Sequence, residues 1–258
     1  MDKNTAFLLR DGYQIARLFN PNSLEACAIP SDSVVVVNDQ GLPTEYSVTS
    51  TRITLIGREL PGGPLGDEYG IVCSEDLRSG VCDNTLGGGR LEPYSGEFRE
   101  EGDVDAEESV IDCLLREVKE ELGIDLNPNE VKLVGLRTIT EDRSSEVKMM
   151  NGKVCADAYF VASVDDRLSA YRAHNGETGD RRVLSPEELL RTTSSAEKRV
   201  LPQTQRLAVA TAIITLWDMF GATLPKPVYE LIQRTLPLAR GVYNTSHWAK
   251  NYIPVIQQ

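Results

Sequence analysis

Residues 109–123 constrain the fold more than any other segment of this 258-residue chain. Ser109 is a suitable N-cap residue with Asp112 three positions later, and Gly123 suits the position just past the end of a helix. Between them, apolar side chains recur at helical spacing and form one face: Ile111, Leu114, Leu115, Val118 and Leu122. The segment therefore predicts an amphipathic helix that packs against a core on one side only.

The other side of this helix is acidic. Glu117, Glu120 and Glu121 fall at i, i+3 and i+4, so their carboxylates share one stripe of the surface. Like charges at this spacing destabilise an isolated helix by about 0.2–0.5 kcal/mol per pair. A glutamate-rich stripe is most often a solvated surface. A divalent cation would also neutralise it, and oxygen-only ligands select Mg²⁺ or Mn²⁺ over zinc.

Acidic residues concentrate around the same helix. Residues 90–125 hold thirteen Asp and Glu against four Arg and Lys, which is most of the formal net charge of −12. Neither nucleic acid nor a membrane is therefore expected as a partner of the whole surface. The sequence has no run of 18 apolar residues, and its first residues meet a charge too early for a signal peptide. Five widely spaced cysteines without a CxxC pair predict reduced thiols in a cytoplasmic protein.

Strands and further helices are predicted around this segment. The strand candidates are 33–37, 46–56, 67–73, 131–140, 154–164 and 183–184, with a glycine loop at 86–90. Ser185 and Pro186 mark the start of a short helix, and the tail is predicted to be helical over 203–220 and 227–240. Strands mixed with few helices, one of them central, predict an α/β sandwich.

The acidic helix and the segment before it resemble a known motif. Gly102, Glu108 and the run from Arg116 to Ile124 match the Nudix box, which reads glycine, five residues, glutamate, seven residues, then R-E-U-x-E-E-x-G-U with U aliphatic. The chain is thereby similar to the Nudix hydrolase family, whose fold is an α/β/α sandwich with a mixed sheet. The resemblance implies a Nudix domain over residues 45–199, with an N-terminal β extension (1–44) and a C-terminal helical extension (200–258).

The resemblance also implies roles for the box residues. Glu117, Glu120 and Glu121 would bind Mg²⁺ or Mn²⁺ from the helix, and Glu108 would contribute directly or through water. Arg116 would orient Glu117 through a charge-assisted pair, so it acts on the site without touching the metal.

The box glycine has two candidates. In the family this glycine usually belongs to a Gly-Gly pair followed by an acidic residue, and its backbone carbonyl is a metal ligand. Gly102 does not belong to such a pair, whereas Gly89, in the run Gly88-Gly89-Arg90-Leu91-Glu92, does and is followed closely by Glu92. Gly89 is therefore preferred over the linear match with Gly102, and thirteen residues are then inserted before the acidic pair that ends at Glu108.

The general base lies outside the box. Family members often place a catalytic glutamate in a loop before the helix that Ser185 begins here, and Glu177 fits that place best. Glu141 and Glu146 are second choices, and an ordinary polar loop residue is the alternative for Glu177. The resemblance thus implies a Mg²⁺-dependent pyrophosphohydrolase that cleaves a nucleoside diphosphate linked to another moiety: a nucleotide sugar, an ADP-ribose-like compound, a dinucleotide or a nucleoside triphosphate.

The substrate itself stays open, because the markers of the family's subclasses are missing after the box. Tyr159, Phe160 or Tyr69 would be available to stack a base, and Arg137 or Arg143 to hold phosphate, with core packing and solvated charge as the alternatives. A second hypothesis is a non-hydrolytic Nudix-derived sensor that reads a nucleotide and binds a partner or nucleic acid through its extensions. The apolar tail is predicted to pack against the sheet or across a homodimer.

Overall fold

The structure, a computed structural model, describes residues 13–18, 33–38, 43–58, 68–76, 81–84, 86–88, 110–128, 130–139, 148–150, 152–164, 179, 182–191, 203–246 and 252–254. Its helices are α1 (Val110–Leu122), α2 (Pro186–Arg191), α3 (Gln203–Phe220) and α4 (Lys226–Thr245), with a 3₁₀ turn at Gly221–Thr223. Its strands are β1 (Tyr13–Leu18), β2 (Ser33–Asn38), β3 (Pro43–Arg58), β4 (Tyr69–Asp76), β5 (Val81–Asn84), β6 (Leu86–Gly87), β7 (Lys132–Thr138), β8 (Met149–Met150), β9 (Lys153–Ser163), β10 (Arg182–Leu184) and β11 (Tyr252–Pro254).

The strands form a mixed sheet with the central order β1-β2-β3-β9-β7-β11. β3 and β9 are parallel from the pair Tyr46–Val154 to the pair Ile56–Ser163, and the other neighbours in this order are antiparallel. β4 pairs with the end of β3, and the short β6 pairs with Ile53 and Thr54 of β3. β3 is therefore the strand that brings distant segments together, because it borders β9 on one side and β2, β4 and β6 on the other.

Helices cover both faces of this sheet. α1 packs on one face against a cluster that includes Ile53, Leu55 and Phe160. α2, α3 and α4 pack on the opposite face against a cluster that includes Ile56 and Tyr159. The alternation of side chains along β3 and β9 supplies both clusters from the same two strands. The fold is the predicted α/β/α sandwich with a mixed sheet.

The predicted extensions are continuous with the sandwich. β2 pairs with β3, so the sheet continues across the predicted boundary after residue 44, and the three-part division of the chain stays a prediction. The tail helices pack against the sheet, which is one of the two predicted placements, and α4 continues to Thr245, past the predicted end at residue 240. No helix in the described part of the chain is long and apolar enough to cross a membrane.

Two sequence expectations are corrected or completed here. Leu86 and Gly87 were expected in a loop but form β6, because they pair with β3. β11 was not expected at all, since a three-residue segment that ends in proline carries almost no strand signal of its own. The thiols of Cys73, Cys113 and Cys155 are buried, as expected for most of the cysteines.

Candidate active site

α1 presents the predicted metal ligands because its opposite side is buried. The buried positions recur along one face of the helix: Val110, Cys113, Leu114, Val118 and Leu122. At the end of the helix, Gly123 adopts φ 63° and its N–H donates to the Lys119 carbonyl oxygen at 2.9 Å. This is the left-handed C-terminal cap that favours glycine. The cap ends the helix within two residues of Glu121, so the acidic stripe occupies its last turns.

Arg116 joins two of the three glutamates of the stripe. Its Nη1 donates to Glu117 Oε1 at 2.9 Å and to Glu120 Oε2 at 3.2 Å. The Glu117 side chain is 16% exposed and that of Glu120 is 54% exposed. Two carboxylates on one guanidinium nitrogen lie close together, and the cation offsets their mutual repulsion. The predicted contact between Arg116 and Glu117 is present, and Arg116 contacts Glu120 as well.

Glu121 is held by a residue 33 positions earlier in the chain. The backbone N–H of Gly88 donates to Glu121 Oε2 at 3.0 Å. Gly88 follows β6 directly, is buried, and adopts φ 123°, in the region that favours glycine. A Cβ at this position would lie 2.4 Å from the Thr51 carbonyl oxygen, so the close approach also requires glycine. The glycine run that begins at Leu86 therefore lies beside the acidic stripe.

Similarity to known proteins agrees with this geometry. Residues 97–204 match the NUDIX domain, a range that contains the whole of α1 and α2. Residues 97–204 are thereby assigned to a Nudix domain. Proteins with this domain include the Nudix hydrolases, which cleave phosphoanhydride bonds. No curated protein sequence matches the chain.

Three solved structures are distantly similar to it. A MutT/nudix family protein from Enterococcus faecalis is 13% identical, with 79% of this chain and 75% of that chain covered and a TM-score of 0.45. An ADP compounds hydrolase is 14% identical, with 81% and 90% covered and a TM-score of 0.35. A MERS1–RNA complex from T. brucei is 17% identical, with 58% and 45% covered and a TM-score of 0.31. At these scores the likenesses carry no argument about substrate or partner.

Several predicted site residues of the Nudix domain lie outside the described residues: Glu108, Gly89, Gly102, Glu177, Glu141, Glu146 and Arg143. Within the part of the chain that the structure describes, no group of three or more His, Cys, Asp or Glu side chains is arranged to hold a metal. The box glutamates there face Arg116 and the Gly88 N–H. Their roles stay predictions, and so does the choice between the two box glycines.

The aromatic residues considered for base stacking are buried. Phe160 is 1% exposed in the cluster beneath α1, and Tyr159 and Tyr69 belong to the cluster on the opposite face. Burial raises the pKa of the Tyr159 hydroxyl to about 12, against the opposing effect of the nearby Arg137 charge. The alternative of core packing is therefore the one that the structure supports for these three rings.

Arg137 is engaged in the core of the Nudix domain. Its guanidinium donates to Asp157, which also accepts a hydrogen bond from Ser50, and it lies 6.0 Å from the centre of the Tyr159 ring. Burial alone would lower the pKa of Arg137, but Tyr159 and the Asp157 carboxylate outweigh that effect and raise it. Since Asp157 is 5% exposed, its charge needs this partner. Arg137 thus compensates a buried carboxylate rather than presenting a free charge to a phosphate.

Sequence reasoning missed two residues that touch the site. Arg52 of β3 donates through Nη1 to the Gly88 carbonyl oxygen at 2.6 Å. Thr51 Oγ1 lies 3.6 Å from Cys113 Sγ in α1. Both contacts join segments more than 30 positions apart, and each depends on the β6–β3 or α1–β3 packing. No local signal in the sequence marks either residue.

Proposed function

We propose that the chain is a pyrophosphohydrolase that requires Mg²⁺ or Mn²⁺ and cleaves the diphosphate of a nucleoside diphosphate linked to another moiety. The observation that carries this proposal is the acidic stripe of α1. Glu117 and Glu120 share Arg116, and Glu121 is oriented by the Gly88 N–H. The Nudix domain at residues 97–204 supports the same chemistry. A cytoplasmic location and a homodimer belong to this proposal as expectations.

The side chains present suit a hard divalent cation. The described glutamates offer only oxygen donors, lie on the last turns of one helix, and are close enough for two of them to bind one nitrogen. Such ligands suit Mg²⁺ or Mn²⁺. We propose that Glu117, Glu120 and Glu121 hold the cation with Glu108 and the carbonyl of Gly89. A bound cation would supply charge neutralisation of the phosphates and a lower pKa for the attacking water.

The chain's own residues then have distinct tasks. Arg116 orients Glu117 and Glu120 through charge-assisted hydrogen bonds. Glu177, as the proposed general base, would take a proton from the attacking water. The water oxygen bonds to one phosphorus, the bridging P–O bond breaks, and the other phosphate leaves with the electron pair. The products are a nucleotide and a second phosphate compound, and the proton later passes from the base to solvent.

A substrate panel tests this function. Nucleotide sugars, ADP-ribose, diadenosine polyphosphates and nucleoside triphosphates would be incubated with Mg²⁺ or Mn²⁺, or with EDTA, and the phosphate products followed by ³¹P NMR. We expect metal-dependent cleavage at a phosphoanhydride of at least one compound. Mg²⁺ should also raise the melting temperature by mass action, as a ligand of the folded state. No cleavage with any compound, together with tight nucleotide binding, would refute hydrolysis and support the sensor.

A further inference from the structure

We propose that Arg52 is a positioning residue of the metal site, because it holds Gly88, whose backbone N–H orients Glu121. This inference rests on the proposed metal-binding role of Glu121. The two peptide groups that flank the Gly88 Cα each have a partner. The N–H donates to Glu121 Oε2 at 3.0 Å, and the carbonyl accepts from Arg52 Nη1 at 2.6 Å. Gly88 therefore links a cation on β3 to a carboxylate on α1.

Gly88 lies close against β3. Gly88 is buried against β3, with its missing Cβ site 2.4 Å from the Thr51 carbonyl oxygen and 3.1 Å from the Arg52 Cα. Its φ of 123° lies in a region that costs other residues free energy. β6, which directly precedes Gly88, has only two residues and pairs with Ile53 and Thr54 of β3. Among the described residues, the Arg52 hydrogen bond thus adds a further contact that holds Gly88 beside β3.

Arg52 is well placed to hold Gly88. It is half-buried, and the same Nη1 lies 3.3 Å from the Thr51 carbonyl oxygen. In the parallel register of β3 and β9, Arg52 lies opposite the buried Tyr159. A hydrogen bond from a charged donor is stronger than one between neutral groups, and a half-buried site screens it less. The Arg52 guanidinium therefore contacts β3 at the Thr51 carbonyl oxygen while it donates to the Gly88 carbonyl oxygen.

Glu121 is one of the proposed metal ligands, so a contact that fixes its hydrogen-bond donor bears on metal binding. Ligand-orienting contacts of this kind typically change metal affinity about 10–100-fold when they are removed.

The test compares Arg52→Met and Arg52→Lys with Arg58→Met. Arg58 is a matched control, because it lies on the same strand, is half-buried, and stacks 6.0 Å from the Tyr69 ring, away from Gly88. Mn²⁺ affinity would be measured by titration calorimetry, turnover as kcat and KM, and amide hydrogen exchange at residues 86–88 without metal. We expect Arg52→Met to weaken Mn²⁺ binding about tenfold or more, with Arg52→Lys between it and wild type. Arg58→Met should bind Mn²⁺ as wild type does.

The readouts separate positioning from the alternatives. We expect the Arg52→Met loss in turnover to fall on kcat, with faster exchange at the Gly88 amide and unchanged protection in α1. Unchanged Mn²⁺ affinity and unchanged exchange would overturn the proposal, and so would a rise in KM alone, which would make Arg52 a substrate ligand. If Arg52→Met does not fold, Arg52→Lys decides. Weaker Mn²⁺ binding at unchanged thermal stability supports positioning, and equal binding overturns it.

Failure of the proposed function gives a different pattern. A wild-type protein that neither binds Mn²⁺ nor cleaves any phosphoanhydride would refute the metal site. The exchange experiment without metal would then test Arg52 alone, since the hydrogen bond between Arg52 and Gly88 forms without a cation. Unchanged protection of the Gly88 amide in Arg52→Met would in that case overturn the role of Arg52 in holding Gly88.

Discussion

α1 and α3 pack on opposite faces of the same sheet, and they use their surfaces in opposite ways. Along α1, buried residues recur at helical spacing and the acidic stripe lies between them. Along α3, seven consecutive residues from Leu207 to Ile213 are buried, because the sheet, α2 and α4 surround the helix. A helix with one buried side can carry charge on the other. The stretch of α3 from Leu207 to Ile213 is buried and carries no charged residue, so its sequence is governed by packing.

This contrast separates function from stability within one domain. In the buried stretch of α3, Thr211 is satisfied within the helix, since its Oγ1 donates to the Leu207 and Ala208 carbonyl oxygens at 2.9 Å. On α1, Glu117 and Glu120 contact Arg116 of the same helix, and Glu121 accepts a hydrogen bond from Gly88 outside it. Substitutions on the acidic stripe should therefore change chemistry with little effect on folding. Substitutions in α3 should do the reverse.

Glu120→Gln should have the largest effect on activity. Gln keeps the volume and the helix propensity of Glu but removes one charged ligand, so we expect kcat to fall by about three orders of magnitude or more. Without metal, the weakened contact of residue 120 with Arg116 and the relieved repulsion between glutamates nearly cancel, and stability should change by less than about 0.5 kcal/mol. Melting temperature with EDTA and turnover with Mg²⁺ measure the two effects on one variant.

Glu121→Gln is the companion variant, since it tests the glutamate that Gly88 orients. It should show the same loss of turnover, and its amide oxygen can still accept the Gly88 N–H. A solvated-surface interpretation of the stripe expects neither variant to affect turnover. Full activity in both variants would contradict the assignment of α1 as catalytic, whatever motif it resembles.

Ile213→Ala tests the other half of the contrast. Ile213 is fully buried in α3, and removal of three carbons from such a site costs about 2–5 kcal/mol of unfolding free energy. Mn²⁺ affinity and the kcat of the folded protein should stay at wild-type values, because the side chain lies on the face of the sheet opposite α1. Urea denaturation without metal measures the loss, and Ile214→Ala, at the half-buried next position, should lose clearly less. Equal losses at the two positions would contradict the difference in burial between Ile213 and Ile214.

The sequence predicts the elements with local signals and misses those without. α1 and α2 are predicted because periodicity, N-terminal residues and Gly123 mark them within a few residues, and β9 because its segment alternates. β11 and the pairing of β6 depend on partners far along the chain, at β7 and β3. The acidic stripe is predicted for the same local reason as its helix. The Gly88 and Arg52 contacts are not, since only the folded sheet brings residues 52, 88 and 121 together.

Tyr159 extends the contrast to pH. Its pKa is raised from 10.0 to about 12, chiefly by burial, so the folded state holds the proton more tightly than the unfolded state does. Below pH 10 the group is neutral in both states and contributes nothing. Between pH 10 and 12 the unfolded state ionises first, and stability should fall by up to roughly 3 kcal/mol as pH rises. The difference in unfolding free energy between wild type and Tyr159→Phe, measured at pH 9 and pH 12, isolates this contribution. A difference that does not change over that range would contradict the buried, neutral hydroxyl.

Gly241→Ala should give the smallest effect, and it tests the exposed side of α4. Gly241 lies within this helix, is exposed, and has no atom within 4 Å of the site that a Cβ would occupy. Alanine should therefore stabilise the protein by about 0.5–1 kcal/mol through its helix propensity, with turnover unchanged. Gly152→Ala is the matched control, because it also has open space but adopts φ 79°, which should cost about 1 kcal/mol. Thermal denaturation of both variants measures the two effects. If Gly241→Ala is destabilised like Gly152→Ala, the space around Gly241 is not open. The outer side of α4 would then be covered, and α4 would resemble the buried part of α3 rather than the one-sided α1.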